Sequence, residues 1–239
     1  MNNAPSVARL RRELKAASRP HRVAGLLGFF KTGPGEYGEG DVFIGVSVPE
    51  MRRIALLGRG LEPEAVLPLI HSKIHEERML ALMVWVLNYQ NGGDTLKGRI
   101  FRLYLKERRW INNWDLVDVS AYHIVGAHLL DRPRGPLDRM VRSPHLWTRR
   151  IAVVSTYAFI RQGETRDIFR LSAALLGDTH DLMHKACGWM LREAGKRDPA
   201  ALRKFLSARA ARMPRTMLRY AIEKFSSAER KRWLAAPRS

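Results

Sequence analysis

The sequence predicts an all-α protein, a superhelical array of antiparallel helix pairs (an α/α solenoid) with a basic concave face. Three observations carry that prediction. Period-2 alternation of apolar residues is almost absent, whereas 3.6-residue patterns recur along the chain. The apolar helical stretches return at a near-constant interval, with Arg78, Trp114, Arg150, Lys185 and Arg219 spaced by 36, 36, 35 and 34 residues. Turn-forming residues fall between them. A period in the mid-thirties accommodates two short helices and two turns, the repeating unit of a helical solenoid. Each such unit buries its apolar face only against its neighbours, so residues 1–239 are expected to form a single domain.

The elements follow in order. Arg78–Leu87 is a buried helix, apolar from Met79 onward. Asn91–Asp94, with two glycines, ends it. Leu116–Leu130 carries apolar residues at helical spacing and stops at the Pro- and Gly-containing stretch Asp131–Pro136. Arg150–Ile160 and Lys185–Arg192 are further helices, separated by a turn at Gly177–Asp178. Asp198–Pro199 starts another, with aspartate at the cap and proline at the first helical position.

Composition narrows the function. With 46% hydrophobic and 27% charged residues the chain is globular rather than disordered. Its longest apolar run, Met79–Leu87, is about half the length of a membrane span. The stretch MNNAPSVARLRREL has no signal-peptide core, and a lone cysteine fits a reducing compartment. A cytoplasmic protein that does not use a membrane is therefore expected. The net charge of +19 favours a polyanionic partner, nucleic acid above all. Residues 200–239 concentrate it, with eleven Lys or Arg against Glu223 and Glu229.

In a solenoid, equivalent positions on successive inner helices line one face. Here those slots hold Trp114, Arg150 and Lys185. Asp118 lies four residues after Trp114, and Trp189 and Arg192 lie four and seven after Lys185, spacings that keep side chains on one helical face. Cations neutralise phosphates. Indole faces stack on bases or on a sugar bearing positive charge. A carboxylate among them repels a phosphate backbone unless it faces something cationic. A breaking glycosidic bond makes such a cation, since the deoxyribose becomes oxocarbenium-like. A carboxylate about 4 Å from that charge, at an effective dielectric near 20, contributes roughly 4 kcal/mol, or about a thousandfold in rate.

Plainer readings stand beside this one. Asn113 to Asp118 also reads as an ordinary helix start, capped by Asn113, with Asp115 at the positive end of the dipole and Trp114 packed inward. Trp189 also fits a core position, and Arg150 and Arg192 fit salt-bridge partners. Cys187 has no histidine base beside it and reads as a buried structural thiol. His71 with His75, and His180 with His184, have the i,i+4 spacing metals use, yet neither pair has the glutamate of a His-Glu-x-x-His motif. Gly33–Gly40 lacks the Lys-Ser or Lys-Thr of a phosphate loop and carries two glutamates, leaving a substrate-shaping loop or a connector. The rival function is a non-catalytic helical-repeat module that binds DNA or an acidic partner.

Several ordered motifs resemble one family, the AlkD-type DNA alkylation repair glycosylases, built from HEAT-like helical repeats. They are Phe30–Asp41 (FKTGPGEYGEGD) leading to Gly45–Pro49 (GVSVP), Asn112–Asp118 (NNWDLVD), Leu146–Ala152 (LWTRRIA), His184–Glu193 (HKACGWMLRE) and Met213–Tyr220 (MPRTMLRY). The resemblance runs from about Phe29 to Phe225. It implies a monofunctional, monomeric glycosylase that removes cationic alkylated purines, chiefly 7-methylguanine and 3-methyladenine, from double-stranded DNA. It implies neither metal, cofactor nor obligate protein partner. By motif position it places the catalytic aspartate at Asp118, the sugar-contacting tryptophans at Trp114 and Trp189, and DNA-backbone contacts at Arg150 and Arg192. Lys185 is a further phosphate contact. The family's N-terminal aromatic falls on Phe29 or Phe30, and Ser47 receives no role.

Overall fold

In the computed structural model, which describes residues 5–235, the chain is all-helical: fourteen α-helices joined by loops and short 3-10 turns. Extended pairing among the described residues amounts to an isolated parallel bridge between Val42 and Ile74. No helix among them is long and apolar enough to cross a membrane. The chain divides into two compact units, one ending at Ile124 and the other beginning at Val125.

The first unit holds α1 (Val7–Ala16), α2 (Val23–Phe29), α3 (Val48–Ala55), α4 (Leu67–Ile70), α5 (His75–Asn91), α6 (Asp94–Lys106) and α7 (Trp114–Ala121). Helix α5 is buried without interruption from His75 to Trp85, so its whole circumference must be covered. Helices α1, α3, α4, α6 and α7 all pack against it. Arg11 of α1 reaches Glu77 of α5 at 3.0 Å. Ser47 is the N-cap of α3 and forms a reciprocal capping box with Glu50, satisfying two otherwise orphaned backbone N–H groups. The Gly33–Gly40 segment folds on itself: Glu36 accepts from the Gly33 N–H, and Glu39 from that of Gly35. Its two acids thus serve its own backbone. At Gly38 a Cβ would stand 2.4 Å from the Phe30 carbonyl oxygen, so only glycine lets the loop turn back onto Phe30. The loop then carries Asp41 into the interior, where it is 9% exposed.

The second unit holds α8 (Gly135–Met140), α9 (Leu146–Arg161), α10 (Arg166–Ala174), α11 (Asp181–Arg197), α12 (Pro199–Arg209), α13 (Arg215–Ala221) and α14 (Ser227–Ala235). Its hub is α11, against which α9, α10, α12 and α13 pack. The approach to α13 is close at Gly188, where a Cβ would lie 2.5 Å from Tyr220 Cβ and 2.6 Å from the Met217 oxygen. Asp198 caps α12 through the Ala201 N–H, with Pro199 in the first turn, as the sequence predicts. The basic stretch counted over 200–239 runs past residue 235, so its last cation, Arg238, lies outside the described residues.

The periodic positions fall on every second helix: Arg78 on α5, Trp114 on α7, Arg150 on α9, Lys185 on α11 and Arg219 on α13. That is the pattern of repeating helix pairs. One expected element differs. Leu116–Leu130 is not one regular helix, because α7 ends at Ala121 and passes into a π-helical segment, Tyr122–Gly126. Apolar spacing registers a helix but not a local widening of its turn.

Candidate functional site

The start of α7 builds the candidate site in the first unit. Asn113, fully buried, caps the helix by accepting from the Trp114 N–H at 2.8 Å. Trp114 is the first helical residue and Asp118 follows one turn later on the same face. Both are half-buried, and with Asp115 they line a cavity of about 500 Å³. Met79, Met83 and Leu87 of α5 and Val48 and Arg52 of α3 form other walls. Gln90 and His123, hydrogen-bonded at 3.1 Å, also line it. The cavity is thus mostly apolar, with a carboxylate and an indole presented one helical turn apart.

Two phenylalanines brace that indole. Phe30 stacks on Trp114 at 5.4 Å with planes 16° apart, and Phe29 meets it edge-on at 5.7 Å. The sequence left these residues as alternatives for one aromatic role, and the structure separates them. Phe30 is 7% exposed and supports Trp114 from inside, whereas Phe29 is 63% exposed and faces solvent.

Behind the aromatic pair lies a buried ionic network that the sequence reading missed. His75 donates through Nδ1 to Asp41 at 2.9 Å and through Nε2 to Asp115 at 2.8 Å. Arg78 donates to the second Asp41 oxygen at 2.5 Å and to the Ser72 carbonyl at 2.8 Å. Burial opposes charge on His75, but the hydrogen bonds and charges of Asp115 and Asp41 outweigh it and push the pKa up to about 9. Burial likewise opposes charge on Asp41, yet His75 and Arg78 hold its carboxyl below the ordinary range. His75, weighed in sequence as one of an i,i+4 pair with His71, has both ring nitrogens on carboxylates, while His71 bonds Glu107 at 2.8 Å. A signal was present: His75-Glu76-Glu77-Arg78 directly precedes the apolar run Met79–Leu87 on one helix, and all four are buried. Buried charges require partners.

The second unit carries the other predicted site residues. Lys185, Trp189 and Arg192 share a face of α11 by their spacing. Lys185 keeps 42% of its side chain exposed and pairs with Asp181 at 2.6 Å. Trp189 is half-buried, with its ring 6.4 Å from that of Tyr157. Arg192 is paired with Glu223 and, at 3.1 Å, with Glu193. Arg150 of α9 is 4% exposed and donates to the Leu182 carbonyl at 2.7 Å, so it ties α9 to the start of α11 instead of standing open on a face. Cys187 is fully buried, which pushes its thiol up to about 12, in keeping with a structural role. His184 donates to the Asp178 carbonyl and His180 accepts from the Leu182 N–H.

Helix pairs in series, with a carboxylate and an aromatic-braced indole in one cavity wall, define a helical-repeat protein with a candidate ligand site. The model of the DNA alkylation repair enzyme family matches residues 10–225, and the chain belongs to that family. Among solved structures it is similar to one described as a predicted DNA alkylation repair enzyme from Enterococcus faecalis. That likeness has a TM-score of 0.67 at 15% identity and covers 88% of this chain and 97% of the other. At such identity it speaks for the fold, which is all-helical and of the helical-repeat kind. No curated protein sequence matches the chain. Membership of the family supports an enzyme's role in DNA repair.

Proposed function

We propose that this protein is a monofunctional, monomeric cytoplasmic DNA glycosylase. It hydrolyses the N-glycosidic bond of cationic alkylated purines, 7-methylguanine and 3-methyladenine, in double-stranded DNA and leaves an abasic site. The observation that carries this reading is the pairing of Asp118 with Trp114 on one face of α7, opening into one cavity.

Alkylation at N7 or N3 makes the purine a cation that leaves as a neutral base, taking the electrons of the C1′–N9 bond with it. Leaving-group protonation is therefore unnecessary. What the reaction requires is stabilisation of positive charge on the deoxyribose and a water directed at C1′. Asp118 supplies the negative charge and accepts the proton that water gives up as its oxygen bonds C1′. Trp114 offers an aromatic face to the sugar, worth about 0.5–2 kcal/mol as a cation–π contact. Trp189, by family resemblance, is a second sugar contact, and Lys185, Arg192 and Arg150 are phosphate contacts. Arg150 is the least accessible of these. The basic groups lining the cavity are Arg52 and His123, neither an amine able to form a Schiff base, so no lyase step is included.

A lesion panel tests the reading. Duplexes carrying 7-methylguanine or 3-methyladenine should lose the base. Duplexes carrying uracil or hypoxanthine, whose bases are neutral, should not. Efficient release of uracil would overturn it.

A further inference from the structure

We propose that the buried chain Arg78–Asp41–His75–Asp115 sets the first turn of α7, and that His75 is a positioning residue for excision, acting through Asp115 and Phe30 on Asp118 and Trp114. The inference rests on the glycosylase reading above and deepens it.

Three separate parts of the chain meet at His75. Asp41 comes from the glycine-rich loop, His75 and Arg78 from α5, and Asp115 from α7. Asp115 is the joint. Its Oδ2 accepts from His75, while its Oδ1 accepts from the Leu116 N–H at 2.8 Å. One carboxylate thus couples the imidazole to the backbone of the helical turn that bears Trp114 and leads to Asp118. A second route runs through rings. His75 packs against Phe30 at 5.0 Å, and Phe30 stacks on Trp114. Phe43 packs on the imidazole at 4.6 Å and stacks on Phe30 at 5.0 Å, so the three rings form one cluster while Asp41 and Asp115 hold the two imidazole nitrogens.

The charges also balance. Two carboxylates face one guanidinium and one imidazolium in a site where His75 and Arg78 are each 2% exposed. A neutral imidazole leaves one negative charge uncompensated between the buried Asp41 and the half-buried Asp115, the latter three residues from Asp118. The pKa of His75, raised to about 9, keeps the network balanced near neutral pH. Groups of this kind lock a side chain's orientation from behind, and a misplacement of about 1 Å in a reacting group costs on the order of a hundredfold in rate.

Two substitutions separate positioning from support. In His75→Gln the amide nitrogen reaches as far as Nε2 and keeps the donor to Asp115. In His75→Asn it reaches only as far as Nδ1, keeping Asp41 and releasing Asp115. Both variants are to be compared with wild type in single-turnover release of 7-methylguanine at saturating enzyme, alongside DNA affinity and thermal melting. The expected result is a rate at least about tenfold lower in the Asn than in the Gln variant, with DNA affinities and melting temperatures that match between the two. Equal rates in two folded variants overturn the inference and leave the glycosylase reading intact. A wild-type protein inactive on every alkylated duplex overturns the glycosylase reading, and the inference falls with it. If neither variant folds, the wild type labelled with 5-fluorotryptophan decides. A Trp114 fluorine signal, assigned by its loss in Trp114→Phe, that titrates with a midpoint near 9 upholds the coupling. A signal that stays fixed between pH 8 and pH 10 overturns it.

Discussion

Raising the pH should withdraw a defined share of this protein's stability through His75. The pKa rises from 6.5 to about 9 on folding. At 1.36 kcal/mol per unit this corresponds to about 3 kcal/mol. Because the folded-state value is the higher one, the contribution is fully present below pH 6.5, declines as pH rises, and is gone above about 9. Near pH 7.5 about 2 kcal/mol of it remains. Solvent screening offers little relief, since the ring is 2% exposed. The assay is urea unfolding of wild type and His75→Gln at pH 6.5, 7.5, 8.5 and 9.5. Every other titratable group is common to both proteins, so the difference isolates the imidazole. The stability gap should narrow by about 3 kcal/mol across the series. A gap that stays constant would refute the charged network. On the acid side the sign reverses: the lowered pKa of Asp41 contributes stability that is lost as pH falls below 3.8.

Other outcomes follow from the same geometry. Phe29→Ala should lower excision while changing stability by no more than about 0.5 kcal/mol, because the side chain is 63% exposed; parallel activity and melting curves check this. Lys185→Ala should weaken binding to every duplex alike and flatten the salt dependence by about one unit, read from dissociation constants at several salt concentrations. Arg150→Ala should weaken binding and also cost roughly 1–3 kcal/mol of stability, since it removes the charged hydrogen bond that ties α9 to the part-buried Leu182 carbonyl of α11; urea unfolding measures the second part.

The all-helical class and its repeat were legible in the sequence because they are written in local spacing. The periodic residues fall on alternate helices, and Asn113 and Asp198 cap α7 and α12. Trp114 and Asp118 were legible as a pair because helical spacing of four fixes a shared face. What escaped was long-range. Asp41 and Asp115 lie 34 and 40 residues from His75, and no local pattern joins them. Asp115 was read only as a dipole partner for its own helix, whereas its other oxygen holds α5. Position in the repeat also said nothing about direction. Arg78 and Arg150 occupy the periodic slots yet are 2% and 4% exposed, spending their guanidinium groups on carbonyls and, for Arg78, on Asp41. The π-helical segment after Ala121 left no trace in apolar spacing.

Single-turnover release of 7-methylguanine from a duplex, wild type beside Asp118→Asn, tests the central claim most directly. Rapid wild-type release, reduced by two to three orders of magnitude in the variant with DNA binding equal or tighter, is the predicted result. Full excision by Asp118→Asn, or no release by a wild-type protein that binds the duplex tightly, would contradict it.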